Sequence, residues 1–337
     1  HVTTITYDAK GSVSGITNAD GSIVSYTYDK LGNLLTTKDE LGNVISYEYD
    51  ADSRLTATVD AKGNRTTYAY DKVGNLISTT DALNGVTASV YDAAGSLTST
   101  TDAEGNVTAY AYDKDGRCVS ITDPNGGVTL AEYDANNNII KTTDAEGNVT
   151  TYTYNARNEM VSCTDPEGYT FSYEYDGNGN VVAYTDGNGN TTRYVYDGLD
   201  RVVEKVNAEG NSSTNEYDAD GRMVKAVNEE GAVTSYVYDS DDRLVSMTNA
   251  LGYSTTFEYD VMDRVVKVTD AKGNATTFTY DAVGNVATET NAKGVTTTYA
   301  YDANYNLASF TDAAGTTSYT YDALNRVTGI TDRKGNT

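Results

Sequence analysis

The stretch Tyr28-Asp29-Lys30-Leu31-Gly32-Asn33-Leu34-Leu35-Thr36-Thr37-Lys38-Asp39-Glu40-Leu41-Gly42-Asn43-Val44-Ile45-Ser46-Tyr47-Glu48-Tyr49 carries the grammar of the whole chain. Two tetrads, Asp29 to Gly32 and Asp39 to Gly42, place Asp first and Gly fourth. That order suits a type I turn whose Asp caps the backbone and whose Gly enters the left-handed region. Between and after the tetrads run Asn33 to Lys38 and Asn43 to Tyr49, too short for helices and lacking a helical period. Tyr47 and Tyr49 stand two apart, so they are predicted to share one sheet face. The stretch reads as one β-hairpin handing over to the next.

Aligned on its Tyr-Asp pair, the unit recurs sixteen times from Tyr7 to Tyr321, at steps of 21 residues except the last, from 301 to 321, which is 20. Only Tyr154 precedes Asn instead of Asp. The second-turn glycine column runs Gly21, Gly42, Gly63, Gly105 and onward to Gly335, interrupted by Asn84. The first turn is looser, with Asn137, Asn158, Asp200, Asp242 and Asp263 in the glycine slot. Ser53 and Tyr305 are sharper departures there and predict turns of a different shape. A second aromatic column, including Tyr26, Tyr68, Tyr110, Tyr152 and Tyr173, predicts cross-strand stacking that covers one face.

Repeats override the two or three domains that 337 residues ordinarily suggest. Residues 1–337 read as a single all-β array, a continuous antiparallel ribbon of about 32 strands, roughly 150 Å long at ~4.8 Å per strand. Accumulated twist predicts a spiral, and one turn made from the whole ribbon would be roughly 50 Å across and hollow. The chain opens inside a repeat and stops inside a turn, which reads as a segment of a longer protein whose targeting signals lie elsewhere.

Composition excludes several functions. The net charge of −25, from 49 acidic and 24 basic residues, disfavours nucleic acid and anionic membranes as partners. No apolar run reaches the 18 residues of a membrane helix. Asp fills the first-turn position in 15 units and the second in 11, which assigns most carboxylates to turn capping and leaves no pair marked for acid–base catalysis. His1 is the only histidine, so no Ser-His, Cys-His or His-metal arrangement is expected. Asp176-Gly177-Asn178-Gly179-Asn180 and Asp186-Gly187-Asn188-Gly189-Asn190 look like the opening of a calcium loop, yet they fall on the two repeat turns and lack its later ligands. Cys118 replaces Val, Leu, Ile or Met in its column and is expected as a buried free thiol, with Cys163 too poorly matched to bridge it. No enzyme activity or cofactor is expected, and no metal site beyond weak calcium binding by clustered turn Asp residues along a ribbon edge. Tyr169, Tyr184, Tyr253 and Tyr305, outside the two columns, are the candidates for stacking on sugars.

The motif Gly-x-x-x-x-Tyr-x-Tyr-Asp-x-x-Gly-Arg-Leu, seen in Gly42, Tyr47, Tyr49, Asp50, Arg54 and Leu55 and in Tyr236, Tyr238, Asp239, Arg243 and Leu244, resembles the RHS or YD repeat. The resemblance spans the chain. It extends to bacterial Rhs and polymorphic-toxin proteins, shell subunits of insecticidal toxin complexes and the animal teneurins. It implies a spiral β-sheet forming the wall of a hollow cage around a C-terminal toxin or other cargo, in a secreted or cell-surface bacterial protein. The partners implied are flanking repeats and the cargo segment of the same chain, and the alternative is a surface adhesion module that binds glycans. The long Asp-Pro-rich segment that ends the Rhs core is missing here, as is a toxin domain. Tyr28, Tyr49, Tyr70, Tyr112, Tyr196, Tyr238, Gly42, Gly63, Gly105, Arg54 and Arg243 are expected to act as structural repeat residues.

Overall fold

A computed structural model describes residues 2–337, so the sole histidine, His1, lies outside the described residues. Thirty-two strands, from Thr4–Tyr7 to Val327–Thr331, belong to one sheet in which strands adjacent in sequence pair antiparallel. From Val13 onward, five-residue strands such as Val13–Thr17 alternate with six-residue strands such as Ile23–Tyr28, except near the shortened last step, where Leu307–Asp312 has six and Gly315–Tyr321 seven. The five residues Leu34–Lys38 face only four of the neighbouring strand, Ser25 to Tyr28, through a bulge at Leu35. Ser25, Tyr26 and Thr27 face Lys38, Thr37 and Thr36, then the register shifts so that Tyr28 faces Leu34. The same shift falls before Tyr112, Tyr196, Tyr280 and Tyr321, which adds local twist at every repeat.

The turns explain why Asp is so frequent. At Asp29 the carboxylate Oδ1 accepts the backbone N–H of Leu31 and of Asn33, each at 2.8 Å, while Gly32 N–H donates to the Asp29 carbonyl at 3.3 Å. Asp39 repeats the pattern, with Asn43 N–H on Oδ1 at 2.7 Å and the Asn43 amide on Oδ2 at 2.8 Å. Gly42, Gly63 and Gly105 take φ of 90°, 86° and 87°, where a Cβ is costly. Ser53 and Tyr305 do not change the turn's shape, contrary to the sequence expectation. They adopt φ of 63° and 65° and donate their N–H to Asp50 and Asp302 at 3.1 and 3.0 Å, as glycine does. The Asp carboxylate and the closing backbone bonds dictate the turn, and the fourth residue absorbs the strain. The 20-residue step shortens one second turn: Asp312 pairs directly with Gly315, leaving Ala313-Ala314 as the loop.

Burial alternates along some of the six-residue strands. In Val149–Tyr154 the residues Thr150, Tyr152 and Tyr154 are half-buried and Val149, Thr151 and Thr153 are exposed. The more exposed face carries Lys141–Glu132, Lys225–Glu216 and Lys267–Glu258 pairs at 2.7, 2.6 and 2.8 Å, each directly across a strand pair. Among the described residues only Ala57 and Ala183 form a buried apolar set. The accessible surface is 19680 Å², whereas a compact globular chain of this mass exposes about 13,000 Å². Ladders and side-chain rungs, not a core, hold this sheet together.

The chain divides into two compact units. One gathers Asp102–Glu104, Thr255–Thr337 and the N-terminal stretch up to Ser89; the other holds Val90–Thr101 and Gly105–Ser254. Both consist of the same hairpins.

Candidate functional site

Neither tyrosine column forms an aromatic ladder. In the second column Tyr26, Tyr110 and Tyr236 sit opposite Thr37, Ile121 and Met247, and the Tyr-Asp residues Tyr28, Tyr112 and Tyr238 sit opposite Leu34, Cys118 and Leu244. Ring pairs among the described residues occur at Tyr173–Tyr184, with centroids 5.2 Å apart, and at Phe310 with Tyr299 and Tyr319, 6.5 Å each. The reason is geometric: each column recurs on every second strand, about 9.6 Å apart, beyond the range of ring contact.

The rings instead anchor by their hydroxyls. Tyr28 donates to the Val13 carbonyl at 2.9 Å, Tyr70 to Leu55 at 2.9 Å, Tyr112 to Leu97 at 2.9 Å, Tyr196 to Val181 at 2.8 Å and Tyr238 to Met223 at 2.9 Å. Each acceptor lies 15 residues back, at the start of the preceding repeat's five-residue strand. Tyr49, opposite Leu55 and half-buried, has its phenol pushed up by desolvation, as do Tyr112, Tyr196 and Tyr238. A hydroxyl aimed at a backbone carbonyl one repeat away left no signal in the sequence beyond the period itself.

The arginines stitch repeats together. Arg54 Nε donates to Asp50 Oδ2 at 2.7 Å, its guanidinium lies 5.5 Å from the Tyr70 ring centre, and Nη1 reaches the Asp71 carbonyl at 3.3 Å. Arg117 does the same with Asp113, the Tyr133 ring at 5.0 Å and the Asp134 carbonyl at 3.0 Å. Arg243 pairs with Asp239 at 2.8 Å. The guanidinium of Arg117 holds the Asp113 carboxyl below the usual carboxylate range. Where Asn replaces Arg, as at Asn180, its amide binds the turn Asp and keeps Asp176 low.

This stitching also accounts for the loose first-turn column. Ser53 accepts a bond from Asn33, Asn137 from Arg117, Asn158 from Asn138 and Asp200 from Asn180, at 3.0, 3.0, 2.9 and 2.7 Å. Arg222 pairs with Asp242 in the same way. Glycine gives way where a side chain in the left-handed slot serves as acceptor for the residue twenty places earlier. Tyr305 departs from that rule: its hydroxyl meets the Asp39 carboxylate.

The other candidates stay apart. Cys118 and Cys163 are free thiols, and Cys118 is half-buried, not buried as its column suggested, because the one-layer sheet leaves its face uncovered. Among the described residues no group of three His, Cys, Asp or Glu is arranged to hold a metal ion. In both calcium-like segments the leading carboxylate is engaged by its own turn: Asp176 binds Asn178 and Asn180, and Asp186 binds Asn188 and Asn190. Tyr169 and Tyr253 are 51% and 60% exposed and stand four repeats apart, about 38 Å along the sheet. Tyr184 packs on Tyr173.

The RHS repeat pattern matches residues 7–44, 28–65, 49–86, 91–128, 133–170, 161–191, 175–212, 217–250, 238–277, 280–316 and 303–337. No curated protein sequence matches the chain with significance. Among solved structures, TcdB2-TccC3-TEV aligns with a TM-score of 0.78 at 17% identity over 96% of this chain. The Photorhabdus luminescens Tc holotoxin pore carrying a TccC3 mutation gives 0.77 at 16% identity over 96%. TcdB2-TccC3 without its hypervariable C-terminal region gives 0.67 at 17% over 97%. At these identities the likeness is one of fold. This chain spans 22%, 22% and 23% of the respective chains.

Proposed function

The chain belongs to the RHS repeat family, and on that premise we propose that residues 1–337 are one repeat array serving as a length of shell wall. The shell encloses a C-terminal toxin or other cargo segment of its own polypeptide, in a secreted or cell-surface bacterial protein. The wall itself catalyses nothing and needs no cofactor. Tyr28, Tyr49, Tyr70, Tyr112, Tyr196 and Tyr238, with Gly42, Gly63, Gly105, Arg54 and Arg243, act by holding repeats in register.

One observation carries this reading: the sheet is complete through bonds between neighbouring repeats and buries almost no apolar side chain. A wall built this way needs no second layer, so one face is left for contents and the other for solvent. The turn carboxylates, which a catalytic reading would need, are spent on backbone N–H groups. The fold likeness to TcdB2-TccC3 supports the same view. A glycan-binding role rests only on single exposed rings such as Tyr253.

Limited proteolysis of the full-length parent protein, with mass spectrometry of its C-terminal segment, tests the proposal. The segment is expected to resist protease until the array is unfolded. Its immediate digestion while the repeats survive would mean that nothing is enclosed.

A further inference from the structure

The turn Asp302–Tyr305 lies at one edge of the first compact unit and touches, across more than two hundred residues of sequence, two turns of the opposite edge. Tyr305 hydroxyl meets the Asp39 carboxylate. Asn304 Nδ2 donates to Asp60 Oδ2 at 2.6 Å, and Lys62 Nζ pairs with Asp302 Oδ2 at 3.0 Å. Lys62 also stands 6.0 Å from the Tyr321 ring centre. Thus one first turn seats between two successive second turns, those of Asp39 and Asp60.

Tyr305 is the informative residue. A bulky side chain at φ 65° is rare, and its strain persists only where other contacts over-determine it. Ser53, Asn137, Asn158, Asp200 and Asp242 offset that strain by bonding to the preceding repeat. Tyr305 has no such role toward Asn285, the residue twenty places earlier, whose amide binds Asp281. Its bond runs across the edges instead. Desolvation and then the Asp39 carboxylate raise its phenol to about 12, so it stays a donor at any physiological pH.

We propose that Asp302, Asn304 and Tyr305 form a docking surface for the opposite edge of the same chain, with Asp39, Asp60 and Lys62 as its partner surface and Tyr305 as the key that sets the register. The partner is another stretch of repeat, recognised by two carboxylates and an ammonium on one side and a phenol, an amide and a carboxylate on the other. A slip of one repeat toward the N-terminus would offer Tyr305 the turn of Asn18, a neutral amide in place of the Asp39 carboxylate.

The test is hydrogen exchange by mass spectrometry on the 337-residue chain bearing Tyr305→Gly. Glycine suits the left-handed slot, so residues 302–306 should keep or gain protection. The distant turn Asp39–Asn43 should exchange about tenfold faster, as expected for loss of one hydrogen bond to a charged group. Unchanged exchange at Asp39–Asn43 would overturn the proposal. Tyr305→Phe, which keeps the ring, should reproduce the loss at Asp39–Asn43 and have no further effect in an Asp39→Asn background. Full additivity of the two substitutions would likewise refute it. Neither result depends on whether the shell holds cargo.

Discussion

Replacing Tyr112 by Phe removes a single atom group whose surroundings are known. The hydroxyl donates to the Leu97 carbonyl at 2.9 Å, from one repeat to the one before. The ring, half-buried on its strand, keeps its place. What is lost is one neutral hydrogen bond, net about 1 kcal/mol. Leu97 is itself half-buried, so water can reach the freed carbonyl and the cost stays near that figure instead of the ~3 kcal/mol of a dry orphan. Because Tyr112 bonds only to the neighbouring repeat, the loosening should be confined to roughly residues 91–122. Urea denaturation gives the size of the loss, and amide exchange in Leu97–Thr101 gives its place. Tyr238→Phe, six repeats away, should add to it within about 0.5 kcal/mol. A loss well above 3 kcal/mol, or exchange rising evenly along the whole chain, would refute the picture of independent rungs.

The left-handed slots should split into two classes. Asn84→Gly relieves strain at φ 69° in a second turn and should raise stability by up to about 1 kcal/mol in thermal melts. Asp200→Gly relieves similar strain but deprives Asn178 and Asn180 of an acceptor at 2.9 and 2.7 Å, so its melting temperature should not rise. Among the turn carboxylates, Asp113 is held below the ordinary carboxylate range by Arg117 and Asp176 by Asn180. A depressed carboxylate contributes stability above its unfolded value, and that contribution is lost as pH falls through the folded one. In 1 M salt, which screens the general repulsion of a −25 chain, urea midpoints should therefore drop between pH 6 and pH 3.

The repeat was legible because every level of it agrees: Tyr-Asp spacing, the Asp-x-x-Gly turns and strand-length segments point to one hairpin, and the strands fall where the segments do. What escaped lies between repeats. The carbonyl of Leu97 has no side-chain signature to announce it as the target of Tyr112. The substitutions Ser53 and Asp200 looked like defects in a glycine column, since their hydrogen-bond donors sit twenty residues back. Stacking was expected from a column of rings, and failed because alternate strands hold that column too far apart. Tyr305 and Asp39 are 266 residues apart, and no local pattern encodes their meeting.

A sheet whose apolar interior amounts to Ala57 and Ala183 has no keystone. In an ordinary domain, adding or deleting twenty residues wrecks a packed centre; here it changes how long the sheet is. The octapeptide Thr101-Asp102-Ala103-Glu104-Gly105-Asn106-Val107-Thr108 recurs letter for letter as Thr143 to Thr150, two repeats later. Such near-copies invite unequal recombination of the gene, and the fold tolerates the outcome because each inserted hairpin brings its own turn carboxylates and its own tyrosine anchor. Size becomes a quantity that can drift by whole hairpins, with the edge contacts at Tyr305 marking where a change of length would have to be reconciled.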